Sequence, residues 1–271
     1  MDYLGESGIG NSLEVDPEEN VHQFMSWPWF NGWCGDIDLL GVKKPQSYYR
    51  DVLWHERKIS MAVEVPVAEG KIRKVSFWGW PEERLSWTFP GMENRRLKVN
   101  VYTRAPKVRL YLNNVLVEEK IVNEQYKASF EVPYQEGTLK AVEVDDNKEG
   151  ASTVLATAGE ATGLRVTADK TRLSADGQDL SYVWIELVDK KGNVVYDSQR
   201  KIQIASEGDG ACIIASGTAS PNDMASFQSL TPTLFNGRAM VIIRSDYHPG
   251  KMRLTVASDG IKTSAINLNT K

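Results

Sequence analysis

From Ile72 onward, hydrophobic and polar positions alternate with a period of two, the spacing of strands that bury one face and wet the other. This predicts strands at Lys74–Trp78, Leu97–Tyr102, Val108–Leu112, Val115–Lys120, Ala128–Val132 and Gly137–Val144. Asn113-Asn114 separates two of these runs and reads as a two-residue hairpin turn, because Asn tolerates the positive φ such turns demand. The small, Gly-containing stretch Ala156–Thr162 reads as a linker. Beyond it, strands are predicted at Leu164–Ala168, Tyr182–Val188, Val194–Tyr196, Ile202–Ala205, Ala239–Arg244, Lys251–Ala257 and Thr263–Leu268, with turns at Lys191-Gly192-Asn193 and Asp259-Gly260. Gln46–Lys58 is the one stretch with helical spacing: Pro45 suits a helix start, and Tyr48, Val52 and His55 with Tyr49, Leu53 and Glu56 make it amphipathic.

The pattern describes a mainly β chain in three parts. Residues 1–59 hold an irregular segment and the helix, 60–155 a first β-sandwich, and 156–271 a second sandwich of about seven short strands, immunoglobulin-like in architecture but without the Cys…Trp…Cys spacing of antibody domains. Composition marks the first boundary as well. Seven of the eight tryptophans precede residue 88, and the rest of the chain is rich in Val, Thr, Ser and Gly.

The 271 residues, 41% hydrophobic and 25% charged, suffice for a sizeable core. A net charge of −4 without any Lys/Arg-rich run offers no electrostatic footprint for nucleic acid or an anionic membrane surface. No apolar stretch nears the ~20 residues of a membrane span, so no membrane insertion is expected. Met1–Gly10 has neither the basic start nor the apolar stretch of a signal peptide. Cys34 and Cys212 fall in different predicted domains, which argues against a bridge. With His22, His55 and His248 as the only histidines, no pair has zinc-ligand spacing. The turn Val144–Asn147 (VDDN) has too few ligands for a dedicated calcium loop. No cofactor is expected.

The chemistry-bearing stretch is the aromatic cluster SWPWFNGWCGDIDLLG before the helix. MDYLGESGIG followed by WPWFNGWCGDIDLLGVKKPQSYYRDVLW resembles the end of the catalytic (β/α)8 barrel of glycoside hydrolase family 2, in its bacterial β-galactosidase branch. VNVYTRAPKVRLYLNN is similar to the sandwich that follows the barrel there. TADKTRLSADGQDLSYVWIELVDKKGNVV, with SPNDMASFQSLTPTLFNGRAMVIIRS, resembles the C-terminal immunoglobulin-like domain.

The resemblance implies a last strand, loop and helix of a barrel ahead of two sandwiches, and a parent enzyme acting on β-galactoside-type oligosaccharides in the periplasm or outside the cell. Its catalytic pair would be two glutamates about 5–5.5 Å apart. Glu6, Glu14, Glu18 and Glu19 match neither catalytic motif of the family, so the chain by itself is expected to be inactive.

Loops at the C-terminal ends of barrel strands border the site. On that basis the resemblance assigns substrate contact to Asp2 at the strand end and to Trp27, Trp29, Trp33 and Asp36 in the loop, with Phe30 and Tyr3 beside them. Aromatic rings beside carboxylates suit sugars, which present apolar C–H faces next to hydroxyls. Packing of the tryptophans at a barrel edge is the competing reading, and Asp38 is as suited to fastening the loop as to touching sugar. Glu6-Ser7-Gly8 reads as a solvent loop, His22 and His55 as surface or core residues, and His248 as part of a turn.

Two other functions compete with the hydrolase reading: a stand-alone immunoglobulin-like module that binds a glycan or partner, and a member of the same family acting on β-glucuronides or β-mannosides. Apolar side chains of Tyr3, Leu4, Tyr48, Val52, Leu53 and Trp54 would have to fold on the first sandwich or pair with another copy as a homo-oligomer.

Overall fold

A computed structural model describes residues 1–5, 10, 12–19, 27–196 and 199–271. Glu6-Ser7-Gly8 and His22 therefore lie outside the described residues. The chain is mainly β and divides into two compact units, Met1–Thr157 and Ala158–Lys271. Among the described residues, no helix is long and apolar enough to cross a membrane.

The first unit contains β1 (Tyr3–Leu4), β2 (Ser12–Val15), β3 (Asn31–Gly32), α1 (Pro45–Leu53), β4 (Ile59–Glu64), β5 (Ile72–Val75), β6 (Glu83–Arg84), β7 (Arg96–Thr103), β8 (Lys107–Leu112), β9 (Val115–Ile121), β10 (Lys127–Pro133), β11 (Thr138–Asp145) and β12 (Lys148–Ala156). Two antiparallel four-stranded sheets, β10-β7-β4-β6 and β12-β11-β8-β9, face one another. Met61, Val63, Leu97, Val99 and Val101 from one sheet meet Val108, Leu110, Leu139 and Ala141 from the other, with Trp87 and Phe89 filling the same core. Trp87 is fully buried and packs against Tyr134 with ring centroids 5.1 Å apart.

Strand β7 shows how pattern becomes packing. Its alternate residues Leu97, Val99 and Val101 enter the core, while Asn100 and Tyr102 point the other way yet are equally buried, because α1 lies over that face. Val52 of the helix meets Ala62 and Tyr102, and Tyr49 stacks on Tyr102 at 4.9 Å. Beneath the helix sits a carboxylate, Glu83, that accepts hydrogen bonds from Asn100 Nδ2 (2.6 Å), Tyr102 Oη (2.8 Å) and Trp80 Nε1 (2.8 Å). Burial pushes the Glu83 carboxyl above the usual carboxylate range despite those donors.

Local departures from the predicted elements have plain causes. The helix ends at Leu53 rather than Lys58, with His55 just beyond it in the left-handed region at φ 68°, a conformation that stops a helix. The strand predicted at Lys74–Trp78 is Ile72–Val75, because Ser76 begins a turn. Asn113 and Asn114, at φ 51° and 66°, make the predicted β8–β9 hairpin. The acidic run is likewise a hairpin turn, with Asp146 and Asn147 at φ 46° and 60° joining β11 to β12.

The second unit contains β13 (Ala161–Ala168), β14 (Arg172–Leu173), β15 (Leu180–Asp189), β16 (Gln203–Gly208), β17 (Ala211–Gly217), β18 (Arg238–Ser245), β19 (Gly250–Ser258) and β20 (Ile261–Thr270). Their order is β16-β19-β20-β13-β15-β18-β17, with β14 also on β20; the two contacts of β20 with β13 and β14 are parallel and the rest antiparallel. Inward residues of both halves share one core: Leu164, Val183, Ile185 and Leu187 meet Ile204, Val241, Leu254 and Leu268. Val194 makes only an isolated bridge to Val188, so no strand forms at Val194–Tyr196. Strand β17 is absent from the predicted set, since its residues are small or half-buried on both faces and give no alternation.

Candidate functional site

The aromatic segment is held by a buried ion pair. Asp2, 2% exposed, precedes β1, and its backbone N–H donates to Ile37 O at 2.7 Å. Its carboxylate accepts Lys44 Nζ on both oxygens (2.8 and 3.0 Å) and the Gly35 N–H on Oδ1 (2.8 Å). Only glycine fits at position 35, where a Cβ would lie 2.3 Å from Asp2 N. Burial pushes the Asp2 carboxyl above the usual range, against the pull of the Lys44 charge and its hydrogen bonds.

Lys44 reaches further. Its Nζ also donates to Trp33 O at 2.8 Å and lies 4.4 Å from the centroid of the Trp33 ring, within cation–π range. Trp33 meets Trp29 edge to face, centroids 6.1 Å apart, and Trp29 Nε1 donates to Asn31 O at 2.9 Å. Gln46 Nε2 binds Gly35 O at 2.8 Å and ties the loop to the first turn of α1. One cluster thus gathers Asp2, Trp29 and Trp33 around a lysine.

Asp36 is placed differently. It forms an ion pair with Arg50 on α1, and its backbone oxygen accepts the Lys44 N–H at 2.8 Å. Asp38 fastens a turn, with Oδ1 accepting the N–H groups of Leu40 and Val42 at 2.9 Å. Trp27 is 71% exposed.

Asn31 stands out. It sits in β3 opposite Leu4, is fully buried, and neither its amide nitrogen nor its amide oxygen has a hydrogen-bond partner. A buried, unsatisfied amide costs about 1–3 kcal/mol per group, so such an orphan calls for a ligand or water to satisfy it. Sequence reading did not single out Asn31, Lys44 or Arg50. An Asn before Gly32 and a Lys before Pro45 carry no local sign of burial or of a distant partner. Among the described residues, no group of His, Cys, Asp and Glu is arranged to hold a metal ion.

The arrangement is suited to a neutral polyol. It offers two indole rings and an amide with both donor and acceptor, while the charged groups neutralise one another.

Comparison with known proteins bears on the family of the chain. Residues 164–267 match the family model for glycoside hydrolase family 2 C-terminal domain 5, and residues 94–151 match a domain of unknown function, DUF4982. The chain is 26% identical over 249 residues to the β-galactosidase BoGH2A of Bacteroides ovatus, covering 90% of this chain and 26% of that protein. It is 25% identical over 262 residues to a putative β-glucuronidase of Formosa agariphila, covering 95% and 22%. A solved glycosyl hydrolase family 2 member from Bacteroides cellulosilyticus superposes with a TM-score of 0.89 at 30% identity, over 100% of this chain and 35% of that one. The chain therefore spans about a quarter to a third of the relatives it matches. With the second sandwich matched by the family model and the fold shared at 30% identity across its whole length, the chain belongs to glycoside hydrolase family 2 and carries that family's C-terminal region.

Proposed function

We propose that this chain is the non-catalytic C-terminal region of a retaining exo-β-galactosidase-type hydrolase. In this reading β1, the aromatic loop and α1 complete the catalytic barrel, Trp29, Trp33 and Asn31 line one wall of the sugar site, and the sandwiches support it. The observation that carries the reading is Asn31, a fully buried amide with both polar atoms unpartnered, whose backbone oxygen accepts from Trp29, itself edge to face with Trp33. A sugar hydroxyl, both donor and acceptor, would satisfy it.

The carboxylates nearby are spoken for. Asp2 is paired with Lys44, Asp36 with Arg50, and Asp38 holds its turn, so none is poised as nucleophile or acid. The catalytic glutamates would come from residues outside this chain. The same pairing favours a neutral galactoside over a uronide, since a sugar carboxylate needs an uncompensated cation and Lys44 is already matched by Asp2.

The test is hydrolysis of a panel of nitrophenyl β-glycosides by the 271-residue chain and by a chain extended upstream through a (β/α)8 barrel. Activity only in the extended chain, greatest on the galactoside and reduced about ten- to a hundredfold in kcat/KM by Asn31→Ala, is the expected result. Activity in the short chain would overturn the reading, as would an Asn31→Ala variant with unchanged kcat/KM.

A further inference from the structure

The loop after β5 carries an aromatic pair that belongs to none of the buried clusters among the described residues. Phe77 and Trp78 are 64% and 71% exposed, and their rings meet edge to face with centroids 4.7 Å apart. They are the central residues of a turn closed by the Gly79 N–H donating to Ser76 O at 2.9 Å. Trp78 occupies the third position of that turn with φ 70°. Such a conformation is met by glycine in most turns of this type, and a bulky side chain is strained there. The turn is anchored from behind, where Trp80 Nε1 donates to the buried Glu83 at 2.8 Å. A strained backbone, a firm anchor and two solvated rings at the tip are the features of a side chain displayed for contact.

Strand pairing links the base of this turn to the aromatic segment. Strand β5 pairs with β2, Val75 opposite Ser12. Gly10, two residues before Ser12, packs so tightly on Cys34 that a Cβ would lie 2.5 Å from Cys34 Cα. Cys34 adjoins Trp33 in the chain, and Trp78 lies three residues past Val75, at most ~10 Å of extended backbone.

We propose that Phe77 and Trp78 form a second sugar platform, contributed by the first sandwich, that receives a unit of a β-linked oligosaccharide beyond the one held by Trp29, Trp33 and Asn31. The apolar C–H face of a pyranose matches an exposed indole, and the adjoining phenyl ring gives the second wall. The choice of ligand rests on the glycosidase reading above; the platform itself rests on the turn.

The experiment is calorimetric titration of the 271-residue chain with β-1,4-galactotetraose, using wild type, Trp78→Ala and Trp78→Gly, with thermal melts of all three. Wild type should bind saturably and both variants should bind at least about tenfold more weakly. Trp78→Gly should melt at or above wild type, because glycine relieves the left-handed strain. Absence of saturable binding in wild type, unchanged affinity in Trp78→Ala, or a clearly lowered melting temperature in Trp78→Gly would each overturn the proposal, the last by making the ring a packing element. In the barrel-extended chain, Trp78→Ala should lower kcat/KM on the tetraose about tenfold and leave the nitrophenyl galactoside unchanged; equal losses on both substrates would overturn it as well. If the extended chain hydrolyses nothing, the glycosidase reading fails, while the titration still decides the platform.

Discussion

Two buried aspartates show how much a carboxylate's role depends on its surroundings. Asp2 faces one lysine and one backbone N–H in a dry setting, so the Asp2–Lys44 pair is a fastener for the Trp33 loop. Removing one partner of such a pair leaves the other charge buried and alone. Lys44→Met should therefore lower the stability of the first unit by about 3–5 kcal/mol in chemical denaturation, with Lys44→Arg retaining part of it. Asp189 closes the Asp189–Asn193 turn in the second unit instead. Burial alone would raise its carboxyl, but the N–H groups of Gly159, Lys191 and Asn193 and the Asn193 side chain outweigh that and bring it from 3.8 down to about 2. A depressed value stabilises the fold above the unfolded value near 3.8, and that contribution is lost as pH falls from there toward about 2. Thermal melts between pH 5 and 2 should show this loss in wild type, and Asp189→Asn should flatten it.

At the scale of elements, alternation was a good guide wherever one face meets a core and the other meets water. Strands β7, β8, β10, β11, β18 and β19 were legible for that reason. It failed where both faces are covered or both are half-open. Strand β4 (ISMAVE) is buried on both faces, between the core and α1, and has no alternation to read. Strand β12 lies at a sheet edge with small and polar residues and is absent from the predicted set, the predicted linker overlapping it only at Ala156. The boundary of the predicted Lys74–Trp78 strand was misread because Phe77 and Trp78 continue a β-like composition into a turn whose φ no sequence pattern announces.

For the whole molecule, the division into Met1–Thr157 and Ala158–Lys271 places α1 and the aromatic segment in the same unit as the first sandwich. Deleting residues 1–58 would bare Ala62 and Tyr102, now covered by Val52 and Tyr49. Calorimetry of that deletion should show a lowered transition for the first unit and an unchanged one for the second, whose core is built from residues 161–268 among the described residues. A joint loss of both transitions would mean that the two units unfold together.

Local periodicity, turn chemistry and contiguous stretches of residues were enough for the mainly β character, the hairpins at Asn113-Asn114 and Asp259-Gly260, the helix after Pro45 and the likeness to a hydrolase family. The roles of the polar residues emerge in the assembled fold. Asp2 and Lys44 are 42 residues apart, and nothing local says that their charges cancel inside the fold. Asn31 is an ordinary Asn-Gly in the chain, and becomes a buried amide without a partner only once β1 and the tryptophan loop close around it. Burial and partnership are properties of the assembled core, and a single strand of text carries neither.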